Sequence, residues 1–162
     1  MAQPNVRSQA SDGSLSLRPA TLQDAALLLQ WRNDPETRAA SHTTDEISPD
    51  THLAWLAKSL SDPTRHLFIA EENGVPVGTL RTDESDGVLE LSWTVAANGR
   101  GRGIGKRMVA LLASQIPGPI RAEVKIGNEA SRRIAEHAGL RFERECHGVL
   151  HFVRGPLRAN QR

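Results

Sequence analysis

The sequence contains no tyrosine, so no phenol is present to act as a general acid or base. Aromatic residues are only 4% of the chain and are not interleaved with its basic residues, as a nucleic-acid stacking surface requires. The single cysteine, Cys146, excludes an internal disulfide and a thiolate metal cluster; it fits a reducing cytoplasm and is expected buried on a strand. No apolar run reaches the ~18 residues of a membrane span, so no membrane partner is expected. The first residues also lack the apolar stretch of a signal peptide. Excess charge is missing too: the net charge is +1, which gives no global field to attract nucleic acid. His66, His137, His147 and His151 show no ligand spacing, and no metal is expected.

What is present suffices for one domain. Residues 1–13 and 156–162 read as polar tails, and 14–155 as the folded unit. "SLSLRPA" alternates as a strand. Thr21 then caps a helix, with Asp24 three residues on and an apolar stripe of Leu22, Ala25, Ala26, Leu28 and Leu29. Pro35 is expected to stop that helix. Ser48-Pro49 opens a second helix that buries Leu53, Leu56 and Leu60. "HLFIAEE" and "VPVGTLRTD" flank Asn73-Gly74, a hairpin signal, and "GVLELSWTV" follows Asp86-Gly87. After a glycine-rich loop come a helix with Met108, Val109, Leu111 and Leu112, the strand "IRAEVKI", a helix capped by Asn128 and ended at Gly139, and two short strands. The order β-α-α-β-β-β-α-β-α-β-β predicts an α/β (α+β) fold, a mixed sheet with helices on both faces.

The loop "NGRGRGIGKR", residues 98–107, holds four glycines and four basic residues. Its spacing fails the P-loop, because Arg100 stands where the first glycine belongs and Arg107 replaces the serine or threonine. It also fails Gly-x-Gly-x-x-Gly, whose last position falls on Ile104 or Lys106. What remains is Arg-x-x-Gly-x-Gly between a strand and a helix. Backbone amides there can converge on an anion, helped by the helix start. A pyrophosphate seat and a solvated turn are both compatible with the loop alone.

"SWTVAANGRGRGIGKRMVALL" resembles the acetyl-CoA-binding motif of the GNAT acyltransferase superfamily, and "AEVKIGNEASRRIAEHAGLRFERE" resembles its second signature. "LRPATLQDAALLLQWRNDPETR" and "HLAWL" resemble the branch holding ribosomal-protein N-terminal and bacterial amino-sugar acetyltransferases. The resemblance spans about residues 15–153 and implies a GNAT fold of about seven strands. The strand at 88–96 would carry a bulge and splay from the strand at 119–126. Acetyl-CoA would be the acyl donor, its arm paired near Trp93, Thr94 and Val95. Arg100, Gly101, Arg102, Gly103, Ile104, Gly105 and Lys106 would take the pyrophosphate, and Asn128 the cofactor arm. Arg132 and Arg133 either reach phosphates or form a solvated face.

The implied reaction is attack of an amine on the thioester. An alkyl ammonium has a pKa near ~10, so a base is useful. Glu90 and Glu123 are the candidates, or else solvent-facing strand residues. A backbone N–H near Val95 would hold the oxyanion. Many family members place a tyrosine acid seven residues after the asparagine; here that position is Ala135. Ser131 or water is left to protonate the thiolate.

The acceptor, a small amine or a peptide N-terminus, is expected near Trp31, Arg32, Asn33, His42 and Trp55, although Trp31 and Trp55 read more readily as core. His52 shares a helix face with Trp55. The protein is expected as a monomer or homodimer. A CoA-binding module without catalysis is the alternative, and a nucleic-acid binder a remoter one.

Overall fold

A computed structural model describes residues 14–158. The first expected tail and the end of the second, 159–162, lie outside them. Of the second tail, Leu157 donates its N–H to the Pro117 carbonyl at 2.8 Å.

The seven strands are β1 (Leu15–Pro19), β2 (Arg65–Glu72), β3 (Val75–Ser85), β4 (Val88–Val95), β5 (Ile120–Lys125), β6 (Arg141–Cys146) and β7 (Val149–Arg154). The helices are α1 (Ala25–Asn33), α2 (Pro35–Ala40), α3 (Pro49–Ser61), α4 (Ile104–Ser114) and α5 (Glu129–His137). Asn73 and Gly74, at φ of 51° and 80°, join β2 to β3 as the hairpin signal predicts. The strands form one sheet in the order β1-β2-β3-β4-β5-β7-β6. All neighbouring pairs are antiparallel except β4–β5, which runs parallel.

Helices cover both faces, as expected. On one, α4 and α5 bury Ile104, Met108, Val109, Leu112 and Ile134 against Leu17, Leu80, Leu91, Ala122 and Phe152. Alternation along β4 and β5 puts Leu91, Ala122 and Val124 on that side, and Glu90, Glu123 and Lys125 on the other. On that second face α1 and α3 bury Leu28, Trp31 and Leu56 against Leu67 and Ile69. Arg154 fixes the far end of α4: its guanidinium donates to the carbonyls of Ala113, Ile116 and Gly118.

Several expectations need correction. Pro35 ends α1 but also opens α2. The Asp34 carboxylate accepts from the Thr37 N–H, and proline is suited to the first helical position, whose N–H has no partner anyway. Leu22, Leu53 and Leu60 are exposed; on α3 the buried residues are His52, Leu56 and Ser59. Cys146 is exposed because β6 is an edge strand with no covered face. The expected bulge in β4 is absent: its register with β3 runs unbroken from Gly78–Val95 to Ser85–Val88. Thr21 and Asp24 do form a reciprocal capping box, but its first turn is a 3-10 turn. Among the described residues no helix is long and apolar enough to cross a membrane.

Candidate active site

The site begins where two strands part. β4 and β5 pair at Leu89–Ile120, Glu90–Arg121 and Leu91–Ala122, and then stop. Beyond that point β4 stays on β3 as far as Val95, while β5 stays on β7 as far as Lys125. The sheet therefore splays in the middle. The Leu89 N–H reaches the Pro119 carbonyl on the β5 side, and the Ala96 N–H reaches the Val77 carbonyl on the β3 side. Alternation then turns the Trp93 and Val95 N–H groups into the cleft and the Thr94 N–H toward β3.

The glycine-rich loop closes the mouth of this cleft. Gly101 and Gly103 have φ of 75° and 73°, a backbone that L side chains rarely adopt, and no atom stands within 4 Å of where their Cβ would be. The first bond into α4 runs from the Arg107 N–H to the Gly103 carbonyl. The N–H groups of Ile104, Gly105 and Lys106 thus belong to a first turn without intrahelical partners. Open space above left-handed glycines and a row of free donors at a positive helix end suit a diphosphate.

The arginines of the loop are turned elsewhere. Arg100 was expected on the cofactor, yet its guanidinium binds Asp34 and Glu36, both at 2.7 Å. Its own N–H donates to Ala97. Arg102 and Arg107 converge on Glu72 at the end of β2. These guanidinium contacts hold the Asp34 and Glu72 carboxyls below their usual range. Lys106 is left exposed at the helix start. Arg132 pairs with Glu129 and Glu136 along its own helix, the solvated-face reading.

Sequence reasoning missed what the other glycines do. A Cβ on Gly105 would meet Ile134 Cδ1 and Val95 Cγ2, and one on Gly99 would meet the Val77 carbonyl and Val95 Cγ1. Two bare backbones let α4 and its preceding turn grip Val95, the residue that lines the cleft. Gly78 does the same for Met108. No local pattern marks the contacts with Val77, Ile134 and Met108, because they join segments far apart in sequence.

On the α5 side, Asn128 caps the helix by accepting from the Ser131 N–H at 3.1 Å. The Trp93 indole N–H donates to Ser131 Oγ at 3.2 Å, which ties β4 to α5. Ser131 thereby keeps its own hydroxyl proton free to donate.

On the opposite face Glu123 lies just past the last β4–β5 pair. Its carboxylate is 3.2 Å from His42 Nε2 and 3.8 Å from His151 Nδ1. Glu90 lies inside the paired segment, 3.8 Å from Arg121. Of the residues expected near the acceptor, Trp31 is core. Asn33 is used in full to pin the next loop, exchanging two 2.8 Å hydrogen bonds with the Ile47 backbone. Arg32 holds the Thr43 carbonyl at 2.7 Å. Trp55 is half-buried, with the guanidinium groups of Arg65 and Arg81 each 6.0 Å from its ring centre. Lys125 reaches the Ala39 carbonyl at 3.2 Å, so the α2 segment leans on the splayed end of β5.

A helix start with unpartnered amides thus stands beside a splayed parallel pair. The model of the GNAT acetyltransferase domain matches residues 14–141, and the chain belongs to that family. Solved structures share the fold at low identity. Aminoglycoside acetyltransferase AAC(6')-Ib, in complex with coenzyme A and kanamycin, is 21% identical, with a TM-score of 0.75 over 88% of this chain and 95% of that one. Spermidine N-acetyltransferase from Vibrio cholerae, with CoA and spermine, is 15% identical, with a TM-score of 0.78 over 90% and 97%. The ribosomal L7/L12 α-N-protein acetyltransferase RimL, with coenzyme A, is 14% identical, with a TM-score of 0.76 over 92% and 97%. No curated protein matches the chain significantly in sequence.

Proposed function

We propose that residues 14–155 form an N-acetyltransferase domain that moves an acetyl group from acetyl-CoA to a primary amine by direct attack. The observation that carries this reading is the cleft itself. The β4–β5 pairing ends at Leu91–Ala122, Glu123 follows directly on β5, and α4 begins at Ile104 behind the glycine loop that follows β4. The relatives of the same fold include enzymes solved with kanamycin and with spermine, and one that acts on a ribosomal protein. A small amine or a peptide N-terminus fits that range.

Acetyl-CoA supplies an activated thioester when bound. The amides of residues 101–106 would hold its diphosphate, with Lys106 as the mobile charge. The Trp93 and Val95 backbone would receive its arm, with the Asn128 end of α5 beside it. Arg100 acts as a strut from the loop to α2, and Arg102 as a tie to Glu72. Glu123, just past the last β4–β5 pair, takes a proton from the acceptor ammonium, directly or through water, and so frees the amine to attack. Glu90 sits farther inside, next to Arg121. The N–C bond forms as the C–S bond breaks. The Val95 N–H faces the acyl oxygen as negative charge grows on it. The Ser131 hydroxyl, held by Trp93, passes a proton to the departing sulfur and is restored, through water, by the second proton that the nitrogen loses as it becomes an amide.

Thiol release from acetyl-CoA over a panel of amines tests this. Glu123→Gln is expected to lower kcat by about 10²–10⁴-fold with little change in acetyl-CoA KM, and Glu90→Gln to act far less. Full activity in Glu123→Gln refutes the assignment. Tight CoA binding without turnover of any amine would leave a CoA-binding module instead.

A further inference from the structure

Two arginines on the acceptor side lack the anion their setting calls for. Arg32, in the last turn of α1, spends one nitrogen on the Thr43 carbonyl; its Nη1 is buried without a partner. Arg38, on α2, has its Nε buried and unpartnered as well. Among the described residues neither makes an ion pair, and they are the two arginines with a buried nitrogen that lacks a hydrogen-bond partner. The two guanidinium groups feel each other: burial and then the Arg38 charge push Arg32 downward. His52, buried on α3, is pushed down by burial and then by Arg32, which favours its neutral form. Two elements, α1 and α2, thus bring two guanidinium groups together with no ion-pair partner among the described residues. Partly burying like charges is unfavourable unless something neutralises them.

The cluster lies next to the proposed chemistry. Arg32 holds the carbonyl of Thr43, the residue after His42, and His42 touches Glu123. Arg38 precedes Ala39, whose carbonyl takes Lys125 at the splayed end of β5. Guanidinium forks suit carboxylate and phosphate oxygens, which accept two parallel hydrogen bonds.

We propose that Arg32 and Arg38 form an anion-binding subsite for the acceptor, and that the acceptor is an amine carrying a carboxylate or a phosphate. The acceptor half of this statement rests on the acetyltransferase reading; the anion site does not. A polycationic amine fits poorly, because this cluster repels it. The subsite sets which amine is held near Glu123 and takes no part in bond making.

Two measurements on the full chain decide it. In the first, inorganic phosphate is titrated while the Nε–Hε NMR signals of Arg32 and Arg38 are followed. Saturable shifts at both, lost in Arg38→Gln, are expected. Signals that do not move saturably overturn the anion site, whether or not any amine is acetylated. In the second, acceptors are compared in matched pairs: α-amino acids against their amides, and amino-sugar phosphates against the free amino sugars. The anionic member of one pair type is expected to lead by about ten-fold or more in kcat/KM, as a charged hydrogen bond allows. Arg32→Gln and Arg38→Gln should each collapse that ratio, and Arg38→Lys should restore part of it. The pair type that responds separates carboxylate from phosphate. Equal use of both members refutes the acceptor assignment. So does a raised acetyl-CoA KM with the ratio intact, which would give the cluster to the donor's phosphates. Failure to acetylate any amine would sink the enzyme reading while the phosphate titration still judged the anion site.

Discussion

Gly78 on β3 carries a prediction about how firmly the cleft wall is held. A Cβ there would lie 2.8 Å from the Thr94 carbonyl oxygen and 2.7 Å from Met108 Sδ. The sulfur ends a flexible side chain and can turn. The carbonyl cannot, because Thr94 pairs with Thr79 in an unbroken ladder. To reach an ordinary contact it must retreat by about 0.6 Å, which shifts β4 bodily. Gly78→Ala therefore sets an overpacking cost of about 1–3 kcal/mol against a strand gain of about 0.5–1 kcal/mol for replacing glycine. The net expectation is about 1–2 kcal/mol of lost stability, or a Tm lower by roughly 2–8 °C in a domain of this size. Because Val95 pairs with Gly78, its N–H should move too, and acetyl-CoA KM should rise several-fold. Gly105→Ala is the control. Its Cβ would lie 2.5 Å from Ile134 Cδ1, the end of a flexible side chain, and 3.0 Å from Val95 Cγ2, which need give by only a few tenths of an ångström. Replacing a helical glycine also recovers up to about 1 kcal/mol, so this variant should stay within about 1 kcal/mol of the parent. Thermal melts followed by circular dichroism and steady-state acetyl-CoA kinetics read both. If Gly78→Ala melts at or above the parent, or Gly105→Ala loses more than Gly78→Ala, the distinction between backbone and side-chain neighbours is wrong.

Gly103→Glu places an L residue at a φ of 73°, a strain of about 1–2 kcal/mol, and points a carboxylate at the orphan amides. Acetyl-CoA KM should rise by more than about ten-fold, whereas Gly103→Asn, which tolerates the left-handed region, should bind far better. An unchanged KM in Gly103→Glu would remove the loop from the cofactor site. Asp24 is buried, takes Arg18 at 2.8 and 2.9 Å and caps Thr21, and the Arg18 hydrogen bond leads in lowering its pKa. A carboxyl lowered on folding contributes stability above its unfolded pKa of about 3.9 and loses it as pH falls through the folded value. Asp24→Asn should therefore cost about 1–2 kcal/mol at neutral pH and flatten the acid limb of the Tm profile below about pH 4. A variant whose acid limb matches the parent would contradict the assignment.

Much of the fold follows from local chemistry that the chain states directly. Asn73-Gly74 specifies its hairpin because only such residues sit easily at positive φ, and Thr21 with Asp24, Ser48 and Asn128 each satisfy orphan N–H groups at the turn they begin. The glycine loop and the Asn128 helix were legible for the same reason: a tight turn and a cap depend on residues a few positions apart. What the loop's arginines do was not legible. Arg100 meets Asp34 and Glu36, and Arg102 meets Glu72, across gaps of tens of residues that no local pattern encodes. The sequence also offered Glu90 and Glu123 on equal terms, both facing one side of the sheet. Only the three-dimensional register, which ends the β4–β5 pairing at Leu91 and Ala122, separates them. Short-range sterics and capping thus determined the elements. Strand order, the point of splay and the partners of each charge were decided by packing between distant segments, where the same side chain is a ligand, a strut or an unpaired cation according to what the fold sets beside it.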